Sequence, residues 1–270
     1  QEQPRRLCII GAGVVGMEFA SVFNRFGTEV TVIEYLKECL PMLDSDIAKR
    51  LRKYLERQGI TFRMKTTVTS LADIDADAIL IATGRKPNVS ADLAVAGITY
   101  DERKGISVDE HFETNVSGVY AIGDVNGKQM LAHAAEMQGI HVVNRLTGHQ
   151  DNIRFDIMPS AIFTYPEAAS VGTTEDQAKQ QSIDCHTLKG YYRANGKALA
   201  IDEPEGMIKL VADASGKILG CAAYGAHSAD IIQEVTAYMQ FDATIHDIAS
   251  TVHIHPTLSE ILQDACVGGN

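Results

Sequence analysis

Short apolar runs alternate with segments of helical periodicity through the first third of the chain. Residues 7–10, 30–33 and 78–82 are rich in aliphatic and β-branched side chains, a composition typical of buried strands, and a further strand is predicted to begin at residue 60. One helix is predicted from residue 17 to 26. The apolar positions of a second helix share one face and are Ile47, Leu51, Tyr54 and Leu55. Strands that alternate with helices predict an α/β domain with a parallel sheet and right-handed crossovers.

The pattern changes along the rest of the chain. Residues 119–122 predict a strand and residues 130–146 a helix. Beyond about residue 151 the strand-like runs come first and the helices last, an order typical of an α+β domain with an antiparallel sheet. The runs are 161–164, 207–212 and 218–224, with a turn at Asn195-Gly196, and the helices are about 228–241 and 257–267.

Composition narrows the function classes. The 270 residues are 45% hydrophobic, enough for a packed core, and carry a formal net charge of −11. Because no dense basic segment is present, we expect no nucleic-acid partner. The longest apolar stretch, 7–15, contains two glycines and is too short to cross a bilayer, so no membrane partner is expected. The five cysteines are odd in number and scattered, and the N-terminal residues have no apolar leader, so we expect a cytoplasmic location.

A glycine-rich turn follows the first strand and opens the first helix, with the sequence Gly11-Ala12-Gly13-Val14-Val15-Gly16. In this context the first glycine permits a tight turn, the second lets the backbone approach a pyrophosphate, and the third lets the helix pack on the strand. Glu34 ends the second strand, where a carboxylate accepts hydrogen bonds from a ribose and repels a 2′-phosphate. No arginine follows it nearby and only Lys37 does, which favours NAD over NADP. The alternative is a glycine turn without a ligand.

Several motifs occur together in an order that resembles the flavin-dependent pyridine nucleotide–disulfide oxidoreductases, and among them most resembles the dihydrolipoyl dehydrogenases. The motifs are GAGVVGMEFA, VTVIE, ATGRKPN, VYAIGDV, LAHAAEMQG, FTYPEAASVG and HIHPTLSE. The resemblance implies an NAD-binding domain at 1–88, the C-terminal remnant of an FAD-binding domain at 89–150, and a dimerisation domain at 151–270. The family's N-terminal FAD-binding half with its CxxxxC disulfide is absent from this sequence, and residues 70–77 are too few for its usual strand hairpin. We therefore expect a C-terminal portion of such an enzyme.

The resemblance assigns cofactor contacts residue by residue. For NAD it implies Gly11, Ala12, Gly13, Val14, Val15, Gly16, Met17, Glu18, Glu34, Val68 and Gly84. Glu18 would lie near the nicotinamide and pair with a lysine of the absent half; the alternative is a first-turn carboxylate that stabilises the helix dipole. For FAD the resemblance implies Asp124, Met130, Leu131, Ala132 and His133.

The last motif implies the catalytic base. His255, directly before Pro256, would exchange protons with a dithiol, and Glu260 would orient the imidazole and stabilise its cation. An alternative for Glu260 is a helix-capping box with Thr257. We further expect a cis peptide bond between His255 and Pro256, and a structural hydrogen bond for His253. No metal ligands are implied.

The resemblance thus predicts an enzyme that passes electrons from dihydrolipoamide through a disulfide and FAD to NAD. Its partners would be a second copy of the chain, bound through residues 151–270, and a lipoyl-bearing acyltransferase of a 2-oxo acid dehydrogenase complex or glycine cleavage system. The chain by itself is expected to be inactive, because it has neither the disulfide motif nor the first glycine-rich loop. The alternative is a non-catalytic module for NAD binding and dimerisation; a flavin-free dehydrogenase has little support.

Overall fold

The computed structural model describes residues 2–268, and its contacts divide the chain into two compact units. The first unit comprises residues up to 84 together with those from 159 onwards, and the second comprises 85–158. The first unit contains two sheets and the second only a short two-stranded one. No helix among residues 2–268 is both long enough and apolar enough to cross a bilayer.

The N-terminal part of the first unit is a four-stranded parallel sheet with strand order β3-β2-β1-β4, which confirms the predicted architecture. Its strands are β1 Arg6–Ile10, β2 Glu29–Ile33, β3 Thr61–Arg63 and β4 Ala78–Ile81. Two helices connect them, α1 Val14–Arg25 and α2 Ser45–Arg57. On α2 the predicted apolar face is buried at Ile47, Leu51 and Leu55. The helix begins at Asp44, whose carboxylate accepts the backbone N–H groups of Asp46 and Ile47 at 3.1 and 3.4 Å.

The prediction that residues 78–82 form a buried strand is right about the strand and wrong about its burial. β4 is an edge strand that pairs only with β1 among the described residues, and Ile81 remains 60% exposed. An aliphatic run has the same composition at the edge and in the centre of a sheet, so composition alone cannot locate it.

The second unit contains the helices α3 Asp92–Val95 and α4 Ala132–Leu146 and the paired strands β5 Tyr100–Asp101 and β6 Gly105–Ile106. The helix predicted over 130–146 is confirmed as α4. The strand predicted over 119–122 is wrong: Tyr120 forms only an isolated antiparallel bridge with Glu113. An apolar run becomes a strand only where a neighbour completes its hydrogen bonds, and within 85–158 the chain supplies no longer partner.

The C-terminal part of the first unit is a five-stranded antiparallel sheet of order β7-β8-β11-β10-β9, as the α+β pattern predicted. The strands are β7 Ser160–Ile162, β8 Glu167–Gly172, β9 Cys185–Tyr191, β10 Met207–Asp213 and β11 Ile218–Gly225. The helices are α5 Glu175–Gln180, α6 Gly196–Ala200, α7 Ser228–Gln240, α8 Ile245–Ser250 and α9 Glu260–Val267. The turn predicted at Asn195-Gly196 is instead the start of α6, because the Asn195 side chain accepts the Ala198 N–H and caps the helix.

A buried ion pair joins the two sheets of the first unit. Lys209 on β10 places its Nζ 2.9 Å from both carboxylate oxygens of Asp44, and it also contacts Glu175 at the start of α5. The side chains of Lys209 and Asp44 are only 3% and 1% exposed. Burial by itself would lower the pKa of Lys209, but the hydrogen bonds to Glu175 and Asp44 outweigh it and hold the pKa above the ordinary lysine value.

We predict that Asp44→Asn lowers the free energy of unfolding by about 3 kcal/mol, because it leaves the buried Lys209 ammonium without its main countercharge. Asparagine still caps α2, so the loss reports the charge rather than the cap. Asp242→Asn is the matched control, since Asp242 is 57% exposed and meets Lys217 at the surface at 2.8 Å; it should cost less than about 1 kcal/mol. Urea denaturation measures both, and equal losses in the two variants would contradict the prediction.

Candidate functional site

The glycine-rich turn between β1 and α1 is held by backbone packing that only glycine permits at two positions. Gly11 has a φ of +105°, and a Cβ placed on it would lie 2.4 Å from the carbonyl oxygen of Ala82. A Cβ on Gly16 would lie 2.0 Å from the carbonyl oxygen of Gly11. The turn is also tied to β2, since the Gly11 N–H donates to the Ile33 carbonyl at 2.8 Å. These contacts agree with the roles predicted for the first and third glycines.

Gly13 differs from these two glycines because a Cβ on it would meet no atom within 4 Å. It is the N-cap of α1, and as a glycine it has no side chain that could accept the first N–H groups of the helix. The backbone N–H groups of Val14 and Val15 in the first turn therefore lie at a helix N-terminus bordered by open space, which suits a phosphate. Ala12 and Met17, which the resemblance also assigns to NAD, are fully buried and pack into the core.

Glu34 directly follows β2 and is fixed by two backbone donors. Its Oε2 accepts the Ala12 N–H at 2.6 Å, and its Oε1 accepts the Leu36 N–H at 2.8 Å. The carboxylate thus lies against the glycine-rich turn, and its predicted contact with a ribose stays a prediction. Each carboxylate oxygen has a second lone pair, so both can still accept a hydroxyl group.

Gly84 and Val68 occupy different surroundings. Gly84 has a φ of +115° and lies two residues after Ala82, the residue on which Gly11 packs. Val68 lines a cavity of about 630 Å³ together with Cys8 and Thr31, and none of residues 11–18 is among the described residues that line it. Gly84 thus follows the strand that packs on the glycine-rich turn, whereas Val68 lines a cavity to which residues 11–18 do not contribute.

Glu18 lies beyond the first turn of α1 and contacts the antiparallel-sheet part of the same unit. Its Oε1 accepts the backbone N–H of Phe163 at 2.9 Å, and the nearby Ser21 Oγ accepts that of Tyr165 at 2.8 Å. The alternative of a solvated first-turn carboxylate is therefore wrong, because the first turn of α1 contains no acidic residue and Glu18 is bonded to another segment.

In the second unit, Asp124 lies in a single 3₁₀ turn, Gly123–Asn126, that packs against α4. The Gly123 N–H and the Asn126 side-chain amide both donate to Oε1 of Gln138, at 2.8 and 2.9 Å. Gln138 is fully buried, and its Nε2 has no hydrogen-bond partner among the described residues. This arrangement fixes the turn and leaves the Asp124 carboxylate exposed.

The other residues that the resemblance assigns to FAD lie at the start of α4. Leu131 is its N-cap and makes no side-chain cap hydrogen bond, while Met130, Ala132 and His133 are exposed. A helix N-terminus of this kind presents N–H groups, and the buried Nε2 of Gln138 is a further donor that needs an acceptor. Both features fit a group rich in acceptor oxygens, such as a flavin nucleotide. Gln138 was missed by sequence reasoning, although a polar residue between Ala134 and Val142 on a buried helix face is a usable signal.

His255, which precedes α9, and Glu260, the first residue of that helix, form a hydrogen-bonded dyad. The side chain of His255 is 80% exposed, and its Nδ1 lies 2.9 Å from Oε1 of Glu260. Because the partner is a carboxylate, Nδ1 carries the proton, and Nε2 keeps a lone pair that faces outward. The backbone N–H of Thr257 donates to Glu260 Oε2 at 2.8 Å and, together with His255, lowers the pKa of Glu260. The glutamate therefore stays ionised opposite the imidazole.

The capping-box alternative for Glu260 is only half formed. Glu260 accepts the Thr257 N–H, but the hydroxyl of Thr257 donates to the Ile254 carbonyl at 2.7 Å, and the N-cap of α9 is Ser259. The helix consequently begins at residue 260 rather than at 257. The predicted cis bond between His255 and Pro256 is confirmed, and a second cis bond joins Tyr165 to Pro166.

Comparisons with known proteins agree with this geometry. Residues 1–139 match the family described as pyridine nucleotide-disulphide oxidoreductase, and residues 158–266 match the dimerisation domain of that family. The chain is 39% identical over 287 aligned residues to leghemoglobin reductase from Glycine max, with 98% of this chain and 55% of that protein covered.

Two further proteins extend the comparison. Mitochondrial dihydrolipoyl dehydrogenase from Pisum sativum is also 39% identical, over 98% of this chain and 57% of its own length. Among solved structures, the HOCl-induced flavoprotein disulfide reductase RclA from Escherichia coli superposes with a TM-score of 0.91 at 28% identity, over 100% of this chain and 66% of that one. The chain spans a little over half the length of the two curated relatives. With a family match over more than half of its residues, it belongs to the pyridine nucleotide-disulphide oxidoreductase family.

Proposed function

We propose that this chain supplies the NAD-binding and proton-transferring parts of a flavoprotein disulfide oxidoreductase of the dihydrolipoyl dehydrogenase type. The family implies FAD and NAD as cofactors. The observation that carries the proposal is the His255–Glu260 dyad, with an ionised glutamate on Nδ1 and an outward-facing Nε2. The names of the relatives support dihydrolipoamide as the dithiol substrate.

His255 performs the proton transfer in this proposal. When a substrate thiol reaches Nε2, the S–H bond breaks, the proton moves to the imidazole, and the electron pair stays on sulfur as a thiolate. Glu260 stabilises the imidazolium through Nδ1, and general-base catalysis of this kind contributes on the order of 10²–10⁴ in rate. Bound FAD would accept the electrons of the dithiol and deliver them as hydride to NAD. Asp124, the backbone of residues 130–133 and Nε2 of Gln138 would hold the flavin nucleotide.

The partners follow from the same family. The matched dimerisation domain supports a homodimer formed through residues 151–270, an isologous contact between identical surfaces. For the whole protein we propose a lipoyl-bearing acyltransferase as the source of the dithiol. The cytoplasmic location stays a prediction, and the related pea enzyme is named as mitochondrial.

One observation favours the alternative of a module without catalysis of its own. All five cysteines are free, and four of them are buried, at positions 8, 39, 221 and 266. Burial raises the pKa of each of these four thiols, to about 11 at Cys266, which opposes thiolate formation. We therefore propose that these residues alone do not support dithiol oxidation and that the redox disulfide belongs to another part of the enzyme.

For the nucleotide site, we predict that Gly13→Ala weakens NADH binding at least tenfold, about 1.4 kcal/mol, without lowering the melting temperature. The new methyl group meets no protein atom, but it fills the space through which a pyrophosphate approaches the backbone. Gly196→Ala is the matched control, since its Cβ also meets nothing within 4 Å and it lies on α6. Titration calorimetry and thermal unfolding measure the two effects. Unchanged NADH affinity in Gly13→Ala would count against the site.

For coenzyme choice, we predict that NADH binds at least tenfold more tightly than NADPH. A 2′-phosphate would have to approach the Glu34 carboxylate, and like charges repel. Glu34→Gln should narrow the preference, while Glu29→Gln at the start of the same strand should leave it unchanged. Calorimetry with both coenzymes decides the point, and equal or tighter binding of NADPH to the native sequence would refute the assignment.

For catalysis, we predict that the 270-residue chain mixed with FAD, NAD⁺ and dihydrolipoamide produces no sustained NADH, measured by its absorbance. Electrons from the dithiol need an acceptor beside the base, and the buried thiols of this chain do not provide one. Sustained turnover that disappears in His255→Ala would show that a redox centre lies within these residues.

A further inference from the structure

The segment that carries His255 is exposed except for one inward-pointing side chain. Val252 and Ile254 are 92% and 78% exposed, whereas the side chain of His253 between them is only 4% exposed. From 251 to 256, His253 is the one residue that is not exposed. The position of His255 therefore depends on how His253 is bound.

Both ring nitrogens of His253 face oxygen atoms that act as acceptors. Nδ1 lies 2.9 Å from the carbonyl oxygen of Thr251, and Nε2 lies 3.0 Å from Oε1 of Glu234 on α7. A carbonyl oxygen only accepts, so Nδ1 carries a proton. The second contact also needs a proton between nitrogen and carboxylate oxygen. A carboxylate oxygen likewise only accepts, so the contact assigns that proton to Nε2, and the two side chains form an imidazolium–carboxylate pair.

The surrounding contacts connect this ion pair to the base. The Thr251 carbonyl that accepts from His253 also accepts from the Gln263 side chain on α9 at 2.9 Å. On the other side of His253, the Ile254 carbonyl accepts the Thr257 hydroxyl. These hydrogen bonds fix the backbone on both flanks, but neither of them reaches across to α7. Only His253 connects the segment to α7 among the side-chain contacts described.

We propose that His253 is a positioning residue for His255: as a doubly protonated ring bound to Glu234, it anchors the exposed 251–256 segment to α7. This inference rests on the proposed function, since it concerns the placement of the dithiol base. Displacements of about 1 Å at a reacting group can cost on the order of 10²-fold in rate, so loss of the anchor should slow proton transfer without affecting the distant NAD turn.

The first test is independent of activity and uses the 270-residue chain. Ring ¹H–¹⁵N spectra should show a hydrogen-bonded proton on each nitrogen of His253, whereas in His255 only Nδ1 carries a hydrogen-bonded proton. Backbone order parameters for 252–256 should be near 0.85 in the native sequence and fall below about 0.6 in Glu234→Gln and His253→Gln. An unprotonated nitrogen on His253, or unchanged order in both variants, would overturn the proposal.

The second test uses the flavin-loaded enzyme that contains this chain. We expect His253→Gln and Glu234→Gln to lower kcat for dihydrolipoamide oxidation tenfold or more, with the KM for NAD⁺ and the rate of flavin reduction by NADH unchanged. Asp230→Asn is the matched control: it changes a carboxylate on the same helix that contacts His227 at 3.2 Å, but this carboxylate is 82% exposed. It should leave kcat at the native value.

The outcomes separate this inference from the proposed function. A native enzyme that is reduced by NADH but does not oxidise the dithiol contradicts the proposed function, and the order parameters then decide the anchor alone. A native enzyme that oxidises the dithiol equally well with and without the His253–Glu234 pair contradicts the anchor. If His253→Gln does not fold, Glu234→Gln provides both readouts, because it removes the carboxylate charge and keeps the shape of the side chain.

Discussion

The ammonium of Lys209 is almost completely withdrawn from water, and it is stable there only because two carboxylates from different elements meet it. Asp44 comes from the start of α2 beside the parallel sheet, and Glu175 from the start of α5 beside the antiparallel sheet. A buried charge without its partner is far more costly than a missing apolar contact. The ion pair therefore favours the observed arrangement of the two sheets, in which Asp44 both caps α2 and meets Lys209.

That arrangement brings α1, the helix after the glycine-rich turn, into contact with the C-terminal part of the unit. With α2 fixed against β10, the neighbouring helix α1 presents Glu18 and Ser21 to the backbone of residues 163–165. The apolar core is continuous between the same elements and includes Leu51 of α2 and Met207 of β10. The glycine-rich turn and the segment bearing His255 thus belong to one compact unit. The proposed flavin contacts of residues 124–133 belong to the other unit.

Sequence patterns predicted the features that depend on neighbouring residues along the chain. The glycine turn, the strands around it and the amphipathic face of α2 are all local. The pairing of His255 with Glu260 is local too, but it was implied by the family resemblance. β8 was missed because small residues such as Ala168 and Ala169 are buried by pairing with β11 and not by strong hydrophobicity of their own. The strand prediction for 119–122 was wrong for the converse reason. The run is apolar enough for a strand, but it has no strand to pair with among the described residues. The partner of His253 lies on a different helix, at Glu234, and no local spacing indicates it.

Glu34 has a consequence for coenzyme engineering. Its carboxylate accepts the Ala12 N–H within the glycine-rich turn, and it is also the group that we propose for the ribose contact. Arginine at position 34 would favour a 2′-phosphate, but it would also remove the carboxylate that accepts the Ala12 N–H. In the proposed site, coenzyme preference and the conformation of the glycine-rich turn therefore depend on the same side chain. A switch to NADP would need a second substitution that returns an acceptor to Ala12, and variants selected for NADP should carry such compensating changes as linked pairs.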